Sequence, residues 1–299
     1  MRTPQPHPQQ RSRALALAAL FAGAAAIATA PLFVKVSEAG PVATAFWRAA
    51  LALPVLWVWS LAHDRHGHYA SFSAERGRLA AAGLLFAGDL AVWHWAIVLT
   101  SVANSTLLAN LAPIFVTLAV WLLYRRPPRH AFLAGLALAL AGVALLVGAD
   151  LRLGTAAVAG DTLGVITALF YAAYQLTVTR LRARVATSSL MAWSALFTAA
   201  ALAPLALASG ERILPQTAAG WAKLAALALI AQAAGQSLIA YAMAHLPATA
   251  SSVGLLAQPV LAALFAWALL GEALGPLEIA GGALVLAGIW LAQRAELGK

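Results

Sequence analysis

Asp89 lies in an apolar stretch, Gly83-Leu84-Leu85-Phe86-Ala87-Gly88-Asp89-Leu90-Ala91-Val92-Trp93-His94-Trp95. A carboxylate in such a setting is costly and marks a cavity or a partner. Trp93 follows four residues later, on the same face of a helix. An indole beside a carboxylate suits a cationic amine, through cation–π attraction, and its flat surface also suits an aromatic side chain. Three roles stay open for Asp89: it can meet a substrate ammonium, carry a coupling proton, or form a buried pair with Arg48 that fixes the fold. Counted from the helix end, Asp89 lies about 15 Å deep and Arg48 about 10 Å deep from the other direction, at 1.5 Å per residue. An arginine side chain can bridge that difference. His94 points away from the Asp89 face and reads as a packing residue, while Trp57, Trp59 and Trp221 read as interfacial anchors.

Further polar residues lie inside apolar runs. Tyr171, Tyr174 and Gln175 form one i, i+3, i+4 stripe that offers stacking surface together with hydrogen-bond capacity for a carboxylate or an amide. The alternative is polar glue between helices, worth about 0.6 kcal/mol per bond. Gln232 and Gln236 share a helix face. Asn110 precedes Pro113, Gln258 precedes Pro259, and Thr29 precedes Pro31. A proline deletes one backbone hydrogen bond, so these three side chains either repair the break or present a kinked polar wall to substrate. Thr29, Asp89, Trp93, Asn110, Tyr171, Tyr174, Gln175, Gln232, Gln236 and Gln258 are therefore the candidate substrate-binding residues, with Pro113 and Pro259 as candidate hinges. His63, Asp64, His66 and His68 cluster in a connection between apolar runs. Their spacing fixes no metal geometry, and the stretch reads as a solvated loop. No metal and no cofactor is expected.

These residues must be positioned by a membrane-spanning frame. The chain has 299 residues, 63% of them hydrophobic and 10% charged, against about 25% charged in soluble domains, and its mean hydropathy is +0.84. With no cysteine, disulfides and thiolate metal sites are excluded. Apolar runs long enough to cross a roughly 30 Å core lie near 14–35, 41–62, 79–99, 104–124, 131–148, 160–180, 188–208, 219–244, 248–270 and 276–293. Gly40-Pro41, Pro127-Pro128, Gly154, Gly210 and Gly275-Pro276 punctuate them. Asn104-Ser105 and Thr249-Ser251 are candidate N-caps of the fourth and ninth helices, and Pro54 and Pro204 fall inside the second and seventh. The first run, ending near Ala28-Thr29-Ala30, has the look of a signal peptide, but it is long enough to span and has a counterpart later in the chain. Residues 1–12, rich in Pro and Gln, are expected to be a disordered tail.

The frame is built twice. Pro113 to Ala144 repeats as Pro259 to Trp290 at an offset of 146 residues without a gap. Pro113 falls on Pro259, Trp121 on Trp267, Gly135 on Gly281 and Gly142 on Gly288. The repeats are 13–149 and 150–299, each with five helices. Five is odd, so the second half enters the membrane from the opposite side, which makes an inverted repeat suited to alternating access. Placing the termini inside puts Arg2, Arg11, Arg13, Arg65, Arg76, Arg78, Arg125, Arg126, Arg129, Arg180, Arg182, Arg184, Arg294 and Lys299 on the cytoplasmic side. Only Lys35, Arg152 and Arg212 lie outside. That bias accounts for the pI near 10.8 with no nucleic acid as partner.

The second repeat carries Pro259, Gly271-Glu272, Glu278, Gly281, Leu284 and Gly288 around its last turn. The first half carries Lys35 and Phe46-Trp47-Arg48-Ala49-Ala50, and the sixth helix carries Ala173-Tyr174. In these features the whole chain resembles the drug/metabolite transporter superfamily, in its ten-helix branch with two EamA-type repeats. The first repeat departs from the pattern with Arg125-Arg126 in place of Gly-Glu. The Trp-rich layout looks most like the YddG-type amino-acid exporters of bacterial inner membranes. The resemblance implies an all-α integral membrane protein of ten transmembrane helices. It implies that helices 1, 3, 4, 6, 8 and 9 surround a central cavity and that 5 and 10 support it.

The resulting expectation is an inner-membrane exporter of small neutral or aromatic amino acids, with both termini cytoplasmic. It would be a monomer in the lipid bilayer, rocking about helices 4 and 9. The rivals are a multidrug or cation exporter, or another metabolite carrier, of the same superfamily. A cation exporter would favour several in-membrane carboxylates where there is only Asp89, and phosphorylated cargo would want more cavity cations than Arg48 and Lys223. An intramembrane aspartyl protease would need a second mid-span aspartate, and Asp150 and Asp161 lie at helix ends. No Ser-His-Asp order or phosphate loop points to an enzyme, and the polar residues form no continuous stripe of the kind that lines a channel.

Overall fold

The computed structural model describes residues 8–99, 102–125, 127–147, 155–271 and 274–298. Every regular element among them is helical: α1 (Pro8–Ala28), α2 (Ala30–Lys35), α3 (Pro41–Ala50), α4 (Leu53–Leu99), α5 (Val102–Ala109), α6 (Ala112–Tyr124), α7 (His130–Val147), α8 (Thr155–Leu181), α9 (Thr187–Ala208), α10 (Ala218–Leu227), a π-helical segment (Ala228–Gly235), α11 (Gln236–Ala242), α12 (Ala248–Gly254), α13 (Ala257–Leu270) and α14 (Pro276–Leu297). Eight stretches of the described residues are long and apolar enough to cross a membrane, and the shorter His130–Leu146 is another apolar helix. With the later half of α4 they make ten passes. Helix is the form that satisfies every backbone N–H and C=O within one segment, which a lipid-facing chain requires.

The inversion of the two halves is visible in the pairing of α7 with α14, which are equivalent in the repeat yet run antiparallel. A Cβ on Gly135 would fall 2.5 Å from Ala292 N, and one on Gly288 would fall 2.4 Å from Ala139 N. At the other end a Cβ on Gly142 would lie 2.5 Å from Val285 N, and one on Gly281 would lie 2.6 Å from Leu146 N. Gly135 thus meets Gly288 and Gly142 meets Gly281. The repeat exchanges Gly135 with Gly281 and Gly142 with Gly288, so it maps one close approach onto the other. The four glycines were recognisable as repeated; backbone-to-backbone packing is why they are glycines. The remaining contacts obey the same exchange. The first span packs on the eighth, where a Cβ on Gly23 would meet Gly235 O, and the third packs on the sixth, where the rings of Phe86 and Tyr174 lie 4.9 Å apart.

Prolines divide several spans. Helices stop at Thr29, at Leu51-Ala52, at Asn110-Leu111 and at Leu255-Leu256, a few residues ahead of Pro31, Pro54, Pro113 and Pro259. Each ring lacks an N–H and displaces the carbonyl four residues earlier. The fourth- and ninth-span breaks are repeat equivalents. Pro204 is accommodated inside α9 without a break.

Several expectations are corrected. The helix begins at Pro8, so residues 8–12 are not a disordered tail; residues 1–7 lie outside the described residues. The stretch after the second span is no loop: α4 runs through it, bent at Asp64 (φ −150°, ψ 50°) and Glu75 (φ −124°, ψ 18°). His68 there is fully buried, its Nδ1 2.7 Å from Ser60 Oγ and its ring stacked on Trp193. Asn104 and Ser105 lie inside α5 and are not its caps. Thr249 lies inside α12, which follows Pro247, and its hydroxyl donates to Glu296 Oε1 at 2.9 Å. Side-chain caps form instead on α10, where the Thr217 hydroxyl accepts from Gly220 N at 2.9 Å, and on α14, where Glu278 accepts from Gly275 N at 2.6 Å.

Candidate functional site

A cavity of about 190 Å³ opens where the broken helices meet. Its walls come from α1 and α2 (Ile27, Ala28, Ala30, Pro31, Val34), α3 (Thr44, Ala45, Arg48) and the later half of α4 (Phe86, Asp89, Leu90, Trp93). They continue with Ala109 and Asn110 at the fourth-span break, Thr167 and Tyr171 of α8, Leu227 and Gln236 of the eighth span, and Gln258, Pro259 and Ala262 of α13. Spans 1, 3, 4, 6, 8 and 9 contribute, as the resemblance implies, and span 2 contributes as well. Spans 5 and 10 supply no wall and pack on each other. In the first, second and ninth spans the lining residues sit in the half remote from the chain termini. There the two long connections are tied together: Gly40 N donates to Arg212 O (2.9 Å), Trp47 Nε1 to Ile213 O (2.8 Å), and Val42 N to Glu211 Oε2 (2.9 Å) at the start of α3. Hydrogen bonds from the Thr217 hydroxyl and the Gln216 N–H hold Glu38 in the same connection below the usual carboxylate range.

The cavity gathers one carboxylate, one guanidinium, three aromatic rings and three amides. Asp89 and Trp93 both face it, as their spacing requires. Tyr171 lines it, while Tyr174 lies behind, its ring centroid 6.2 Å away at 18°; the Tyr174 hydroxyl donates to Gln236 Oε1 at 3.4 Å. Asn110 and Gln258 line it at the two equivalent breaks. Gln258 Nε2 has no hydrogen-bond partner among the described residues.

Other expected residues stand elsewhere. Thr29 does not line the cavity; its hydroxyl caps its own helix by donating to Ala26 O at 2.7 Å. Gln175 is 1% exposed, and its amide is away from the cavity with both ends unpartnered among the described residues. Gln232 is buried behind the wall. Pro259 lines the cavity but Pro113 does not. Trp95 faces outward, and the His94 side chain lies outside the described residues. Arg48 and Asp89 attract one another as the expected pair would, while the hydrogen bond and ring contact of Arg48 go elsewhere. Arg48 Nε donates to Gln232 Oε1 at 3.1 Å, and the guanidinium carbon stands 5.7 Å from the centre of the Phe86 ring. Among the described residues, Glu75 forms ion pairs with Arg78 and Arg184 in the connections outside the spans. Arg48 and Asp89 both line the cavity and attract each other across it.

Phe86, Thr44 and Thr167 escaped the sequence reading. Each stands three or four residues before a recognised position, Asp89, Arg48 and Tyr171, and the helical neighbour rule finds all three. Ile27, Val34, Leu227 and Ala262 carry no signal, because apolar wall and apolar lipid face are the same residue types.

Residues 14–148 and 158–293 each match the model of the EamA-like transporter family. A protein of Archaeoglobus fulgidus, named only as an uncharacterized transporter, is 27% identical over 273 residues, covering 87% of this chain and 91% of its own. A solved crystal structure aligns with a TM-score of 0.80 over 95% of this chain and 99% of its own, at 21% identity. That likeness concerns the fold.

Proposed function

The chain belongs to the EamA-like transporter family, and on that premise we propose that its cargo is a small zwitterionic amino acid with a neutral or aromatic side chain. Membrane transport of a small molecule by a multi-pass protein is the family's activity, and it is a carrier's task rather than an enzyme's. The observation that carries the finer reading is one carboxylate and one guanidinium lining the same cavity among Phe86, Trp93 and Tyr171. A zwitterion offers an ammonium for Asp89 and a carboxylate for Arg48, and its side chain meets the rings. Net neutral cargo leaves no buried charge uncompensated. A purely cationic drug would have Arg48 against it, and a phosphorylated metabolite would have Asp89 against it.

Broken helices at mid-span give a carrier both a polar wall and a hinge, since freed carbonyls are tolerated where they line a cavity. Rocking about Pro113 and Pro259 would expose the cavity alternately to the two faces. The excess of Lys and Arg near the termini supports cytoplasmic termini in a bacterial inner membrane, and the cavity would then face outward in the conformation described. Export is the direction we favour, by a monomer. The test is flux of labelled phenylalanine, methionine, leucine and threonine in liposomes holding only this protein, with and without a pH gradient. Movement of these amino acids supports the reading, while a folded protein that moves none of them overturns it.

A further inference from the structure

We infer that Gln232 is a positioning residue which aims Arg48 at the cargo carboxylate, and that the π-helical turn of the eighth span is what puts it there. The inference rests on the amino-acid reading above and specifies how that site selects its cargo. Arg48 is 9% exposed. A guanidinium buried in a membrane protein is ordinarily matched by a carboxylate; Asp89 attracts it across the cavity, but the hydrogen bond and ring contact it makes are to an amide oxygen, Gln232 Oε1 at 3.1 Å, and to the face of Phe86 at 5.7 Å. Only Nε is engaged in this way. Among the described residues no hydrogen bond engages the two terminal amino groups, and neither is a fully enclosed, unpartnered atom. They form the planar fork that takes a carboxylate in two parallel hydrogen bonds.

The eighth span makes this possible by an irregularity. Leu227 and Gln236 both line the cavity. Nine residues at 3.6 per turn carry a helix about two and a half turns, which would put them on opposite faces. The intervening residues, Ala228–Gly235, are π-helical. Wide turns closed by i→i+5 bonds, at about 4.4 residues each, bring the two ends close to the same face. Gln232 is carried round with them to meet Arg48. A neutral amide suits the role: it fixes the guanidinium without cancelling its charge.

The test is equilibrium binding of L-phenylalanine and of L-phenylalaninamide to the full-length protein in detergent, followed by tryptophan fluorescence. The amide keeps the ammonium and the ring but lacks the carboxylate. The wild type is expected to prefer the acid. Gln232→Ala should weaken acid binding about tenfold, the weight of a buried hydrogen bond to a charged group, and leave amide binding unchanged. Gln232→Glu has the same shape and should remove the preference for the acid, because its carboxylate occupies Arg48. Equal loss for both ligands in either monodisperse variant, or full retention of the preference in both, would overturn the positioning role. A wild type that binds neither ligand would instead overturn the amino-acid reading on which the role rests.

Discussion

Gly281 and Gly282 are adjacent on α14, and alanine at each should change stability with opposite sign. A Cβ on Gly281 would stand 2.6 Å from Leu146 N and 2.7 Å from Gly142 O, both backbone atoms of α7. Relieving that contact means parting α7 and α14 by roughly 1 Å, since carbon needs about 3.5 Å. A Cβ on Gly282 would meet side-chain atoms of Leu146 and Val260 at 3.6 Å, an ordinary contact. Overpacking costs about 1–3 kcal/mol, and replacing glycine by alanine within a helix returns about 1 kcal/mol. Gly281→Ala should therefore be destabilising by up to about 2 kcal/mol and Gly282→Ala neutral or stabilising by up to about 1 kcal/mol. The loss is felt in full because lipid supplies no hydrophobic force to hold separated helices together. Thermal unfolding in one detergent, followed by circular dichroism, gives the order Gly282→Ala at or above wild type and Gly281→Ala below it. The reverse order, or equal midpoints, would refute the backbone-contact account of the repeated glycines.

Three further outcomes are expected. Arg125 ends α6 at φ 54°, the left-handed conformation that Gly271 adopts at φ 71° in the other repeat. Arg125→Gly should stabilise by up to about 1 kcal/mol in the same unfolding assay, once the entropy of glycine is set against the strain. Glu75 is held below the usual glutamate range by hydrogen bonds from Arg78 and Arg184. Because its folded pKa lies below the unfolded one, its contribution is complete above about pH 4.3 and is lost as the pH falls through the folded value. Glu75→Gln should thus flatten the acid limb of a stability–pH curve and leave its slope above pH 6 unchanged. Asp89→Asn should weaken uptake of zwitterions and abolish any dependence on a pH gradient; transport unchanged in rate and pH profile would assign Asp89 to structure alone.

How much of this was legible follows from which signals are local. Asp89 with Trp93, and Asn110 and Gln258 beside their prolines, announced a cavity because a polar group in an apolar span and a broken backbone are both properties of neighbours in sequence. The hydrogen-bond partner of Arg48, Gln232, was not legible. Depth along two helices left their rotation undetermined, and the π segment turns Gln232 by an amount that no 3.6-residue pattern contains. Tyr171, Tyr174 and Gln175 share a stripe wider than the cavity it borders, so only Tyr171 reaches in. The charged stretch around His68 resembled a solvated loop by composition, yet it continues α4 and buries an imidazole against Trp193, a contact made across 125 residues of sequence. The repeated glycines revealed the duplication and the odd number of helices per half its inversion; that Gly135 meets Gly288 rather than its own image, Gly281, needed the packing.

The central claim is that the cargo sits in the cavity between Arg48 and Asp89. The chain has no native cysteine, so a single Ala262→Cys in the cavity wall can be modified with a methanethiosulfonate reagent in liposomes, with and without phenylalanine. The account predicts that phenylalanine slows modification at concentrations that saturate transport. An unchanged rate in a variant that still transports phenylalanine would contradict it.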